Sequence, residues 1–334
     1  MSHSSNAVPL ECAGPPVTDV HAHLVPVNPS RIGEHADVRL IGGNRLEIDG
    51  HELGLAKLYR ADLLIEWMDA NDIDVALVSA PPPLYRQQLA EADCRSWTAY
   101  LNDGLAEIAA GFPDRLKVLA HLPVEHPAVA ADEAACRRGP PYAGCSLAAG
   151  GAHTIRYADP ALRPLWRALN EQHSFAFLHP GACADGRLAA FYAGNLLGNP
   201  YETAVAVAHL VFGGVPEDFP EIQFCLAHCG GVVPAVAGRW QRGFDTARPG
   251  VDTGRESPAR SLRRFFVDCV AHDHGLLALA EQVFGEDRIL FGSDWPFPMG
   301  LDKPREWLSL LSTERQQRIL TRNFAALTDS AEAT

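Results

Sequence analysis

The stretch VTDVHAHL, residues 17–24, is an apolar run that carries two histidines one residue apart. In an extended strand, side chains two residues apart share a face, so His21 and His23 aim at one point while Ala22 faces away. Two neutral imidazoles directed together suit a metal ion; the plainer reading is a pair of polar residues at a strand end. A strand buried on both faces needs neighbours of the same kind, and the chain supplies them. Short apolar runs recur at 74–80, 116–124, 142–150, 175–181, 223–230, 265–272 and 289–296. Amphipathic stretches separate many of them, at 60–72, 94–113, 160–173, 201–220 and 274–285. Eight buried strands alternating with helices predict an α/β fold, the (β/α)8 TIM barrel. An open doubly wound sheet is the rival, but no glycine-rich phosphate loop follows an early strand.

The rhythm breaks once, over residues 25–59. Gly42-Gly43 and Asp49-Gly50 are turn signals there between short alternating runs, which predicts a small hairpin inserted after the first strand, a candidate lid at the barrel mouth. Residues 1–16 read as a flexible lead-in and 17–328 as a single barrel domain. With 47% hydrophobic and 21% charged residues, the chain has material for a large core. A formal charge of −13 argues against a general affinity for nucleic acid or anionic membrane, and no apolar run reaches membrane-spanning length. The N-terminus lacks the pattern of a secretory signal, and eight cysteines are scattered without a CxxC pair. Reduced, mostly buried thiols in the cytoplasm are therefore expected. Cys225 and Cys229 flank His228, where packing is a simpler expectation than structural zinc.

Barrel enzymes build their sites at the C-terminal ends of the strands. His21 and His23 close the first predicted strand, His179 the fifth, His228 the sixth and Asp294 the eighth. Each alone has a structural explanation; five at one rim point to a metal. Zinc takes imidazole nitrogens and a carboxylate oxygen and keeps a place for water, so His21, His23, His179 and Asp294 form a candidate ligand set. Manganese or iron uses similar ligands. No lysine stands at the end of the fourth strand to bridge a pair of ions, so one divalent ion is expected. Such an ion lowers the pKa of a bound water from ~15.7 toward ~7. His228 is then left for proton transfer or substrate polarisation.

Four blocks, DVHAH (19–23), HPG (179–181), AHCGG (227–231) and GSDWPFPMG (292–300), resemble the amidohydrolase-related, metal-dependent decarboxylases of the 2-amino-3-carboxymuconate-6-semialdehyde decarboxylase type. EWMDANDIDVALVS (66–79), NPYETAVAVAHLVFGGVPEDFP (199–220) and GEDRILFGSDWPFP (285–298) support the likeness. The resemblance implies a barrel with one divalent ion, usually zinc, and non-oxidative cleavage of a carbon–carbon bond with release of CO2. It carries the ligand role to His21, His23, His179 and Asp294 and the catalytic role to His228; in a decarboxylase, His228 and Asp294 would together help deliver a proton to the carbon bearing the carboxyl group. It also implies a homodimer acting on a small unsaturated or aromatic carboxylic acid.

The chain departs from the family at two substrate positions. Glu52 stands where the family has an arginine that grips a carboxylate, and a carboxylate cannot replace a guanidinium in holding an anion. Arg45, Lys57 and Arg60 are the nearby cations. Tyr192 stands where the family has a tryptophan, while Arg239 matches a second substrate arginine that reaches a partner's site. These departures point away from aminocarboxymuconate semialdehyde itself as substrate. They leave hydrolysis of an amide, ester or lactone as the alternative reaction. Asp268 and His272 flank the seventh strand and either orient the site or satisfy backbone groups, with the structural reading first; His121 and His153 face the same rim, within reach of substrate; Asp19 reads as a deeper hydrogen-bonder.

Overall fold

The structure is a computed structural model that describes residues 14–42, 45–151 and 156–332, with side chains up to residue 328. Eight parallel strands follow one another around a single sheet: β1 (Thr18–His23), β5 (Val75–Ser79), β6 (Leu116–Leu122), β7 (Tyr142–Ala149), β8 (Phe175–Pro180), β9 (Gln223–Leu226), β10 (Phe266–Asp268) and β11 (Ile289–Leu290). The three intervening strands, β2 (Val38–Ile41), β3 (Arg45–Ile48) and β4 (His51–Glu52), form a separate antiparallel sheet in the predicted insertion. The large sheet closes on itself. Val20 N donates to Phe291 O at 3.0 Å, Asp294 N to His21 O at 2.7 Å and His23 N to Trp295 O at 2.8 Å. The result is the (β/α)8 barrel expected from the sequence.

Alternation explains the core. Val20, Leu77, Leu119, Phe175, Phe177, Cys225, Phe266 and Leu290 point inward from their strands and plug the barrel. Their neighbours Ala76, Val78, Val118, Leu147, Leu178, Phe224 and Val267 point outward and pack under the helices. Neither face meets water, so the strands read as continuous apolar runs. The predicted helices form at Ala61–Ala70, Glu91–Ala110, Arg163–Glu171 and His274–Phe284. The stretch 201–220 is two helices, Asn199–Phe212 and Val215–Asp218, because Gly213 caps the first and Gly214 adopts a left-handed φ of 70°. Helices at Pro127–Cys136 and Val233–Asp245 were not anticipated.

The last three barrel strands are shorter than expected. The run 223–230 is extended only over Gln223–Leu226, and His228 lies in the turn that follows. The insertion is firmly tied down. Leu46 and Ile48 are buried in the main core, and the buried Arg86 guanidinium holds Asp49 at 2.7 Å and Ala36 O at 2.8 Å. No described residue of 25–59 lines the cavity at the barrel mouth. Of the other expectations, those for residues 1–13, including Cys12, and for His153 lie outside the described residues.

Candidate metal centre

His21 and His23 leave β1 side by side, their Nε2 atoms 3.1 Å apart, although a bulge interrupts the β1–β5 register between Asp19 and Ala22. His179 comes from the end of β8. His228 and Asp294 come from turns after β9 and β11, where both adopt left-handed backbones with φ of 54° and 60°. That conformation is costly for a side chain with a Cβ and persists only where neighbours enforce it. Asp268 does so for the first turn: its carboxylate accepts from the backbone N–H of His228 at 3.0 Å and of Cys229 at 2.8 Å. Asp19 steadies the second by accepting from Ser293 N at 3.0 Å and Ser293 Oγ at 2.5 Å.

Three imidazoles are oriented through their Nδ1 atoms. His21 Nδ1 meets Asp268 Oδ2 at 2.6 Å, His23 Nδ1 meets Ser79 Oγ at 3.1 Å, and His179 Nδ1 donates to Pro180 O at 3.0 Å. With Nδ1 committed, each ring turns Nε2 and its lone pair inward. Asp294 Oδ1 lies 3.2 Å from His21 Nε2 and 3.3 Å from His23 Nε2. Donors on a tetrahedral zinc with bonds of about 2.0–2.1 Å stand roughly 3.3–3.4 Å apart, close to these separations. Donor atoms of His21, His179, His228 and Asp294 also lie within 4.8 Å of one another, and His23 adjoins this group through His21 and Asp294. His179 Nε2 and Asp294 Oδ1 are buried without a hydrogen-bond partner. Such atoms are expensive unless something binds them, and a divalent cation fits both.

The electrostatics agree. Burial holds His23 below its ordinary pKa and His179 well below it, so both are neutral, as ligands must be. Burial also opposes charge on His21, but Asp294 and Asp268 outweigh it and push its pKa up to about 10. Those carboxylates attract positive charge, and a metal ion competes for the same place as the proton. Burial alone would raise Asp294; the imidazoles, His21 foremost, hold it well below the carboxylate range. His228 differs from the other four. It is 20% exposed, its Nε2 lies 3.5 Å from Asp294 Oδ2, and it borders open space.

That space is a cavity of about 760 Å³, walled mainly by apolar groups, with His179, His228 and Asp294 at its base. Tyr192 lines it, and so does His272 at the exposed rim. Glu52 does not: it is exposed on β4 and ion-paired with Arg45 of β3. Arg60 pairs with Asp62. Arg239 is exposed on Val233–Asp245, outside the cavity wall of its own chain. His121 is buried and stacks on Tyr85 at 4.8 Å. Cys225 and Cys229 are buried and unpaired. Sequence reasoning undervalued Asp268, which orients His21 and pins the His228 turn at once; its place at the end of β10 was the available signal. Ser79, at the end of β5, passed unnoticed because nothing marks a serine there.

A family model described as amidohydrolase matches residues 18–327. The 2-amino-3-carboxymuconate-6-semialdehyde decarboxylase of Dictyostelium discoideum is 26% identical over 307 residues, covering 84% of this chain and 82% of that protein. The gamma-resorcylate decarboxylase of Rhodococcus jostii (strain RHA1) is 28% identical over 283 residues, covering 77% of this chain and 83% of its own. Among solved structures, a dihydroxybenzoic acid decarboxylase from Polaromonas sp. JS666, with bound manganese and the inhibitor 2-nitroresorcinol, aligns with a TM-score of 0.77 at 20% identity. That alignment covers 94% of this chain and 97% of the other, and it establishes the likeness of fold.

Proposed function

This chain belongs to the amidohydrolase family, and from that membership we propose that it is a metal-dependent, non-oxidative decarboxylase of a small unsaturated or aromatic carboxylic acid. The observation that carries the reading is the inward convergence of His21, His23, His179 and Asp294 beside His228, at the base of a largely apolar cavity. Relatives that are decarboxylases by name support it. Those four side chains would hold one divalent ion, zinc by their chemistry, with manganese or iron able to use the same donors. Bound there, the ion supplies positive charge that anchors and polarises a carboxylate.

The chain's own residues then do the rest. The apolar walls exclude water and pack the planar body of the acid, with Tyr192 at the rim. His228 faces the cavity and presents Nε2 toward Asp294. It gives a proton to the carbon bearing the carboxyl group, with Asp294 Oδ2 orienting the ring. That carbon becomes tetrahedral, the carbon–carbon bond breaks, its electrons restore conjugation, and CO2 leaves. His228 recovers its proton from solvent at its exposed edge. The test is CO2 release from a panel of hydroxybenzoates, with and without added zinc. His228→Ala should keep the metal and lose about 10²–10⁴-fold in kcat. Turnover of amides or lactones with no CO2 from any acid rejects the reading in favour of hydrolysis.

A homodimer and a cytoplasmic location complete the proposal. Phe191, Tyr192, Leu196, Leu197 and Tyr201 are all more than half exposed within eleven residues, and Tyr192 and Leu196 also line the cavity. A second copy covering this patch would border the cavity and could bring its own Arg239 to it. The unpaired state of the described cysteines suits a reducing compartment. Among the described residues no helix is long and apolar enough to cross a membrane.

A further inference from the structure

Beside the metal centre lies a second group of polar side chains that the reaction above leaves unused. Strand alternation sends Leu119 of β6 into the barrel, so His121, two residues on, points inward as well. On β7, Leu147 packs outward, so its neighbours Ser146 and Ala148 point inward. His121 and Ser146 are Cα partners, and Ala148 is the Cα partner of His179 on β8. Ala148 projects only a methyl group between that candidate ligand and the pair. Tyr85 completes the group. It follows the turn Pro82–Leu84, whose Pro82 and Pro83 wall the cavity, and its ring lies parallel to that of His121 at 4.8 Å. Tyr85 is 3% exposed, His121 1% and Ser146 0%. Yet the Tyr85 hydroxyl, both ring nitrogens of His121 and Ser146 Oγ have no hydrogen-bond partner among the described residues. Buried atoms of that kind, gathered in one place, are costly unless something else bonds them. The three groups are also uncharged. Burial brings the His121 pKa down to about 4, which leaves a neutral imidazole. Burial holds the Tyr85 hydroxyl above its ordinary pKa; Ser146 tempers that rise, and the Asp294 carboxylate adds to it from the metal centre.

We propose that Tyr85, His121 and Ser146 form a subsite at the inner end of the cavity that binds a hydroxyl group on the body of the acid. This rests on the decarboxylase reading, in which the carboxylate is held at the metal centre and the rest of the molecule is left to be recognised. A hydroxyl is the substituent that fits. It donates one hydrogen bond and accepts two, and a neutral imidazole with two rotatable hydroxyls offers both acceptors and donors. A hydrogen or a methyl group in that place would leave the same buried atoms unbonded. The stacked rings of Tyr85 and His121 fix the direction from which the hydroxyl is met, so the subsite selects the position of the substituent as well as its presence.

The test crosses ligands with variants. Affinities of 2-hydroxybenzoate and of 2,3-, 2,4-, 2,5- and 2,6-dihydroxybenzoate for the zinc-loaded full-length protein are measured by calorimetry, alongside CO2 release. At least one dihydroxy acid should bind about 10-fold or more tightly than 2-hydroxybenzoate. In Tyr85→Phe and in Ser146→Ala that preference should fall below about 3-fold. The ratio is the readout, because a disturbance of the fold shifts both acids together and leaves it alone. Each variant removes a buried hydroxyl that bonds nothing in the ligand-free chain, so each should melt no lower than the native protein. No preference for any dihydroxy acid, or a preference that survives both substitutions, overturns the proposal. A preference lost in the variants while no acid yields CO2 keeps the subsite and overturns the decarboxylase reading beneath it.

Discussion

Asp268 does two jobs that share one carboxylate. Oδ2 meets His21 Nδ1 at 2.6 Å and accepts from the backbone N–H of His228, while Oδ1 accepts from Cys229 and Val270. Asparagine keeps the size but has one acceptor oxygen and an NH2 that clashes with an N–H donor. Asp268→Asn should therefore weaken zinc binding about 10–100-fold and also lower kcat, as His228 loses its fixed turn. Competition against a chromophoric chelator reads the first effect; unchanged affinity would show that His21 needs no such orientation. Glu125 gives a pH prediction. Both its oxygens are buried without a hydrogen-bond partner, and burial pushes its pKa up to about 7 from 4.5. The folded protein then keeps a proton that the unfolded chain has released, so Glu125's own contribution to stability is greatest below about pH 4.5 and is lost as pH rises to about 7. At 1.36 kcal/mol per pKa unit the loss is about 3 kcal/mol. Glu125→Gln should flatten the slope of urea midpoint against pH between 5 and 8; parallel slopes would mean that Glu125 ionises normally. At this scale the sequence marked the histidines and Asp294, because imidazole and carboxylate at strand ends stand out. It could not mark Ser79 or the pairing of Glu52 with Arg45, which depend on contacts no spacing rule reveals.

The elements that carry the site are held by close approaches as much as by strand ladders. Gly292 follows β11, where a Cβ would stand 2.8 Å from Asp268 Cβ and 3.0 Å from His21 Cβ. Both contacts are with atoms next to the backbone, so the neighbours cannot simply swing away. Gly292→Ala should push β10 and β1 apart at the metal centre, costing about 1–3 kcal/mol of stability and reducing zinc affinity. A melt and a metal titration check it, and wild-type values in both would place the slack elsewhere in the turn. The strands β1 and β5 to β8 were readable because a strand buried on both faces is a continuous apolar run. The run at 289–296 was over-read for a physical reason: after Ile289–Leu290 the chain turns through Gly-Ser-Asp-Trp-Pro, and hydrogen bonds to β1 continue the closure without a regular ladder. Pro127–Cys136 escaped notice because its sequence, PAVAADEAAC, is alanine-rich with little contrast between its faces.

Closure of the barrel brings His21 and Asp294, 273 positions apart in the sequence, to 3.2 Å. Order of strands alone predicted this meeting, since the first and last strands of a closed barrel are neighbours. What strand order cannot reveal is the outer surface, where the patch from Phe191 to Tyr201 stands out. Phe191 is 94% exposed and, like Tyr192, has a left-handed backbone, φ 61° and 59°. Large side chains are rarely kept in water in this way unless a partner covers them. If the partner is a second copy, light scattering should give twice the 36.2 kDa chain mass for the native protein. Leu196 and Leu197 are both exposed in the single chain, so Leu197→Glu should leave its fold intact while placing like charges against a two-fold related surface. The variant should shift toward monomer, with the change largest at low protein concentration and partly reversed by salt. Because Tyr192 and Leu196 also wall the cavity, separation should raise KM more than it lowers kcat. A native protein that runs as a monomer at all concentrations, with Leu197→Glu kinetically silent, would assign the patch to some other partner.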